Sequence, residues 1–292
     1  TTKAEHHSSI LPWIHVAKQR DALIQYIKLD DFGKIDLEAY RQSFHHDIKV
    51  VVIHHVSNVL GYVSPLKEMI DIAHQNQAIV VVDGAQAIQH MKVDVKDLDA
   101  DFYAFSGHKM LGPTGIGVLY GKHHWLEKLD PIEFGGDMSL DVSDNDFSWK
   151  EPPVKFEAGT MPIGEAIGLK AAIDYINQIG IEAIHQYSKE LYDYFYHQIE
   201  SMDGVEIYNP HSDTFIFTFN LKNVPSHDAI SYFAESNIAL RAGQHCAALI
   251  HQHLNIVSSL RGTIYFYNTK RDVDVLIQEI KKAIDYFKQL GF

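Results

Sequence analysis

The chain is poor in cysteine, in positive charge and in long apolar runs. A single cysteine, Cys246, among 292 residues excludes an internal disulfide framework and fits a reducing, cytoplasmic setting. Lys and Arg number 25 against 38 Asp and Glu, a formal net charge of -13. With no basic cluster, nucleic acid is not expected as a partner. The apolar runs are far too short to span a bilayer, so no membrane association is expected. Internal repeats and low-complexity segments are missing as well. The opening Thr1-Thr2-Lys3-Ala4-Glu5 has no initiator Met, no signal-peptide pattern and no evident helix cap, and reads as the interior of a longer protein.

What is present is ordinary globular composition, 46% hydrophobic and 22% charged, in a chain long enough for one large or two ordinary domains. The 19 histidines are many, but most fall in scattered doublets (His45-His46, His54-His55, His123-His124) that read as surface residues or element ends rather than ligands. His245, Cys246, His251 and His253 offer soft metal ligands, yet their spacing fits no strong zinc signature, and no metal is expected.

Apolar runs alternate with helical patterns. Strands are expected at 23–29, 50–53, 78–82, 102–105 and 115–120, with a Gly33 turn, a helix from Asp36 to about Phe44, and a helix over 65–75 opened by Ser64 and Pro65. This alternation argues for an α/β fold with a mostly parallel central sheet sandwiched by helices. The stretch 135–160 reads as an irregular functional loop. Beyond it come helices at 165–180 and 181–202, strands at 205–208, 214–220 and 260–267, and helices at 227–236 and 271–290. Residues 1–163 are therefore expected to form a large domain, and 164–292 a smaller C-terminal α+β domain that carries Cys246.

Ligands of such sheets bind beyond the carboxyl ends of the strands. Two residues sit there. Asp83 ends the run Ala78-Ile79-Val80-Val81-Val82. Lys109 follows Ser106-Gly107-His108 and precedes the Gly/Pro-rich 110–117. A lysine in that setting looks like a Schiff-base lysine for pyridoxal 5'-phosphate (PLP), and an acid at a neighbouring strand end looks like the partner of the pyridine nitrogen. On its own, Lys109 could equally be a surface lysine beside a glycine turn, Asp83 a helix cap and Cys246 a small buried residue.

The combination resembles the fold-type I (class V) PLP-dependent transferases and, more narrowly, group II cysteine desulfurases of the SufS type. The matching segments are Glu5-His6-His7, 55–61, 82–86, 105–109, 156–160, 241–246, Leu260-Arg261 and 267–269, in family order along the chain. The resemblance implies a homodimer that converts L-cysteine to L-alanine, leaves a persulfide on Cys246, and passes it to a SufU- or SufE-type acceptor for iron-sulfur cluster assembly. It implies Lys109 as the covalent anchor of PLP, Asp83 on the ring nitrogen, Gln86 on the ring hydroxyl, and His6 stacked on the ring and able to exchange a proton. Ser106 and His108 would bind the phosphate, and Thr160 the phosphate of the neighbouring subunit. Arg261, helped by Asn58, would grip the substrate carboxylate, Arg241 would orient substrate near the nucleophile, and His245 or another proton acceptor would activate the Cys246 thiol. The family pattern also has a further N-terminal stretch carrying a phosphate-binding turn, a His where Gln244 stands and a Thr where Ala242 stands.

Other readings share these residues: selenocysteine lyase, another class V enzyme such as an aminotransferase or kynureninase-like hydrolase, or an inactive fragment that only binds a partner.

Overall fold

The computed structural model describes residues 1–45 and 47–292, so His46 of the first histidine doublet lies outside the described residues. Its centre is a four-stranded sheet in the order β1 (Val50–His54), β2 (Ile79–Asp83), β3 (Phe102–Ser106), β4 (Gly117–Gly121). The first three strands are parallel and β4 is antiparallel to β3. The β-branched runs of β1 and β2 are what a sheet covered by helices requires. Val51, Ile53, Val80 and Val82 pack with Met69, Ile70 and Ala73 into one apolar core.

Helices α1 (His7–Arg20), α2 (Leu37–Gln42), α3 (Leu66–Gln75), α4 (Val95–Leu98) and α5 (His123–Lys128) belong to this half of the chain. Asp36 caps α2 through Ala39 N–H, as its sequence position suggests. The cap assigned to Ser64 does not form: α3 starts one residue later, after Pro65, and the Ser64 hydroxyl is buried without a partner.

A short hairpin, β5 (Ser139–Val142) and β6 (Phe147–Trp149), interrupts the stretch read as irregular. Then come α6 (Ile163–Ile179) and α7 (Ile181–Ile199). The second sheet is antiparallel, in the order β7 (Val205–Ile207), β8 (Ile216–Leu221), β10 (Ser259–Thr263), β9 (Arg241–Gly243). It is accompanied by α8 (Ser226–Glu235), α9 (Ala248–His253) and α10 (Lys270–Gln289). In α10, Val273, Leu276, Ile277, Ile280, Ala283 and Phe287 recur at helical spacing and bury one stripe, and Thr269 and Asp272 close a capping box. These side chains join Phe195, Phe217, Phe219 and Phe233 in a second core.

The two halves are clamped by the loop 57–62. Its carbonyls accept from the second half: Val59 from Thr218 Oγ1, Leu60 from Asn209 Nδ2 at 2.9 Å, and Gly61 from Thr214 Oγ1 at 3.1 Å. Gly61 has φ +67°, and a Cβ there would fall 2.3 Å from Ser212 Oγ, so only glycine permits this approach. One expected strand is missing. Residues 23–28 have no ladder partner, Leu23 is 98% exposed, and only an isolated bridge joins Leu29 to Ile35. No helix among the described residues is long and apolar enough to cross a membrane.

Candidate active site

The carboxyl ends of β1, β2 and β3 open into a cavity of about 270 Å³. Each strand delivers a residue there. β2 ends on Asp83, and its Oδ1 is fixed by Ala85 N–H at 2.9 Å. β3 ends on Ser106 and turns through a 3₁₀ segment, Gly107–Met110, that presents Lys109. β1 ends on His54, in register with Asp83. Gly84 is needed behind the acid, because a Cβ there would lie 1.9 Å from the Tyr103 ring.

The lining brings together six of the residues expected from sequence: His6, Asn58, Asp83, Gln86, Ser106 and Lys109. His108 and Thr160 lie outside it and are exposed. His54, Ser8, Ser9 and Trp13 line it and were not expected. The last three ride on α1. His54 belongs to a doublet that reads as a strand end, which it is, but a buried one.

The electrostatics suit a nucleophilic amine. Burial pulls the Lys109 ammonium below the usual lysine range, opposed by Asp83 and assisted by Arg261 and Arg241. Burial, then the charge of Lys109, lowers the His6 imidazole. Ser8 N–H donates to His6 Nδ1 at 3.1 Å, which leaves the proton of the neutral ring on Nε2.

Arg261 enters from β10. Its Nη1 donates to the Asn58 carbonyl at 2.6 Å, and burial, then Arg241, pushes it down to about 10, still cationic at neutral pH. Such a desolvated, anchored guanidinium is built for a carboxylate. Arg241 Nη2 lies 3.6 Å from Cys246 Sγ. Cys246 is exposed, and its charge registers at both Lys109 and Arg261.

The thiol loop is held in a demanding conformation. His245 and Cys246 have φ of +52° and +56°, two successive non-glycine residues in the left-handed region. Three successive carbonyls are each bound by a different element. His245 accepts from Asn58 Nδ2 at 2.9 Å, Cys246 from His7 N–H at 2.6 Å, and Ala247 from His251 Nδ1 at 3.1 Å.

Proton counting orders the network behind the loop. His251 Nδ1 faces a carbonyl and must donate, so Nε2 of the neutral ring accepts from Ser259 Oγ at 3.0 Å. The Ser259 oxygen then accepts from His245 Nε2, also at 3.0 Å. His245 Nδ1 is left bare, and it is buried without a partner. This corrects the role given to His245. Its ring is turned inward to Ser259, and burial, then Arg261, pushes it down to about 3, so it shapes the loop while Arg241 is the group beside the sulfur. Ser259→Ala strips a partner from both rings and is expected to cost about 1–3 kcal/mol in chemical denaturation. It should also change the rate at which Cys246 is alkylated; an unchanged rate and stability would show that the network does not hold the loop.

Such bonds engage the histidines of the soft-ligand set. His245 and His251 spend ring nitrogens on Ser259, and His253 Nε2 meets the Asp30 carbonyl at 2.7 Å. The cluster with metal-binding geometry among the described residues is a different one, His123, Glu127 and Glu151, all exposed.

The family model for aminotransferase class-V matches residues 1–276. The chain belongs to that family. It is 48% identical over 288 residues to a Staphylococcus aureus protein named "Probable cysteine desulfurase", covering 98% of this chain and 70% of the relative. A Halalkalibacterium halodurans protein of the same name is 46% identical over 286 residues, with the same coverage. Among solved structures, the Escherichia coli cysteine desulfurase CsdA superposes with a TM-score of 0.94 at 36% identity, over 98% of this chain and 71% of that one. A Thermococcus onnurineus cysteine desulfurase gives 0.94 at 36% identity, over 97% and 72%. The fold is that of the class V, fold-type I enzymes.

Proposed function

We propose that this chain is a PLP-dependent cysteine desulfurase: it converts L-cysteine to L-alanine and keeps the sulfur as a persulfide on Cys246. The observation that carries the reading is a cavity lined by a desolvated Lys109 and the strand-end acid Asp83, with a single exposed thiol, bonded by Arg241, outside the lining but near enough to act electrostatically on Lys109. A class V relative that only transaminates has no use for that thiol.

The residues fit the cofactor. An amine and a carboxylate, Lys109 and Asp83, line one strand-end cavity. Gln86 lends its Oε1 to Gln89 and keeps its amide N–H groups free to meet a ring hydroxyl. Bound there, PLP would supply an electron sink for the substrate α-carbon. Lys109 would hold it covalently and move a proton at that carbon. Asp83 would pair with the ring nitrogen. Ser106 and His108 would take the phosphate, and Thr160 that of a partner subunit in a homodimer. His6 would cover the ring and exchange a proton through Nε2. Arg261 and Asn58 would fix the substrate carboxylate, and Arg241 the sulfur end.

As the substrate Cβ–S bond breaks, a new S–S bond forms between that sulfur and Cys246, and Cβ gains a proton to give alanine. The stoichiometry closes: cysteine plus thiol gives alanine plus persulfide, with no outside oxidant. The exposure of Cys246 supports onward transfer to an acceptor of the SufU or SufE type for iron-sulfur clusters, as in a SufS-type enzyme. The single cysteine supports a cytoplasmic setting. We take 1–163 and 164–292 as the large and small domains; one core lies wholly in the first and another mostly in the second, while Met110 joins the latter and a third core packs Ala4, Leu29, Val59 and Leu60 with Ala247 and Ile250.

Borohydride reduction in the presence of PLP, followed by peptide mapping, tests the site. The adduct is expected on Lys109 and lost in Lys109→Ala; an adduct that persists in the variant would sink the assignment. Arg261→Lys should raise KM for cysteine by about tenfold or more, because an ammonium cannot copy the guanidinium fork. An unchanged KM would remove Arg261 from substrate binding.

A further inference from the structure

His54 and Asp83 are in-register neighbours at the ends of parallel strands β1 and β2, project to the same face and line the same cavity. His54 is buried, and its Nδ1 lies 2.8 Å from Oε1 of Glu5, whose side chain is wholly enclosed. Thr2 Oγ1 donates to the same oxygen at 2.7 Å, while Glu5 Oε2 is buried without a partner. Burial opposes a charged imidazole at His54, but the charge and hydrogen bond of Glu5, aided by Asp83, outweigh it and raise the group above the usual histidine range. His55 goes the other way: burial, then the charge of His54, pushes it down to about 4. The two members of the doublet are shifted in opposite directions.

A buried ion pair is a poor way to fill space, since apolar side chains of the same volume often stabilise as well or better. Its position gives it a use. Glu5 is bonded to His54, His54 is the in-register neighbour of Asp83, and both carboxylates favour a protonated imidazole at His54. We propose that His54, ion-paired with Glu5, is a positioning residue for Asp83 and sets how firmly that carboxylate engages the ring nitrogen of PLP. This deepens the cofactor reading above and rests on it. The imidazole bonds Glu5 behind the cavity and neighbours Asp83 in register along its wall, while Ala85 N–H fixes Asp83 Oδ1. The other titratable groups on that cavity are Lys109 from the 3₁₀ turn and His6 at the start of α1, with His55 next along the strand.

The test titrates PLP into the wild-type chain, Glu5→Gln, His54→Asn and the double variant, and follows the visible cofactor band from about pH 5 to 9, the range in which histidine changes charge. The wild-type chain should bind and show the band. Each single variant should bind PLP about tenfold more weakly and shift the pH midpoint of the band by about one unit. The double variant replaces the ion pair by a neutral hydrogen-bonded one; it should regain wild-type stability but keep the shifted midpoint. Wild-type affinity and midpoint in His54→Asn and in the double variant would overturn the proposal and leave the cofactor site standing. No band in the wild-type chain would instead overturn the cofactor reading, and this inference with it. Imidazole nitrogen NMR of the unmutated apoprotein needs no variant to fold: His54 should titrate above the ordinary histidine range, and a His54 that titrates at or below that range would overturn the proposal.

Discussion

Cys246→Ala is expected to lower alanine and persulfide formation from L-cysteine by on the order of 10³-fold or more, the scale on which losing a nucleophile registers. PLP binding should change by less than about threefold, a difference of well under 1 kcal/mol. The separation follows from the geometry. Cys246 is exposed on a loop from the second half of the chain, while the cavity wall is built by β1, β2, β3 and the N-terminal end of α1. Removing the sulfur removes the acceptor of the S–S bond and leaves Asp83 and Lys109 in place. Slow transamination of cysteine should persist in the variant. Alanine release at the wild-type rate would mean that the thiol takes no part and that the chain works as another kind of class V enzyme. Cys246→Ser would sharpen the test, because a hydroxyl preserves the loop but cannot form the persulfide.

The second large effect is on acid stability. His55, His90 and His245 are buried, and burial pushes them down to about 4, 3 and 3. The folded state holds them neutral while the unfolded chain protonates near 6.5. The unfolded state therefore binds more protons between those values. The stability these groups contribute is complete above about pH 6.5 and is lost as pH falls toward their folded values. Each contributes a slope of up to about 1.4 kcal/mol per pH unit, so the three together reach about 4 kcal/mol per unit at the steepest. His54 is shifted upward, so its linkage lies above about pH 6.5: its contribution is present at lower pH and fades as pH rises through its folded value. It does not offset the acid loss.

Denaturant midpoints at about pH 7, 6 and 5 should fall steeply, and His90→Leu should remove roughly a third of the slope. His90 suits that substitution: it sits edge-on to Phe215 and Tyr265 at 4.9 and 5.7 Å, and its Nδ1 has no partner. Equal stability at neutral and mildly acidic pH would contradict the buried neutral histidines.

The strand ends were legible because periodicity, length and terminal residue agreed. Asp83 and Ser106 close their strands, and the helix read as 271–290 runs over Lys270–Gln289. What was not legible depends on contacts distant in sequence. Helix α1 hides its start behind His6, an unusual cap whose imidazole rather than a hydroxyl accepts the Ser8 N–H, and it carries Pro12 inside. The cavity residues Ser8, Ser9 and Trp13 were hidden with it. The segment at 23–29 is apolar enough for a strand, but its backbone bonds are scattered, to Thr1 and to Ile35–Asp36, and β-propensity without a continuous ladder does not make a strand. His245 follows a helpful-looking sequence rule, a histidine beside a cysteine, yet the left-handed backbone at 245 and 246 turns the ring to Ser259 and leaves the sulfur exposed. The Glu5–His54 pair spans 49 residues, and no local pattern announces it.

The central claim is that Lys109, Asp83 and Cys246 form one PLP site that accepts L-cysteine. Its most direct test is the visible absorption spectrum of the chain with PLP, before and after L-cysteine. The account predicts a protein-bound cofactor band that depends on Lys109 and shifts when cysteine is added, with alanine appearing in step. A chain that forms no such band, or whose band ignores cysteine while responding to other amino acids, would contradict it.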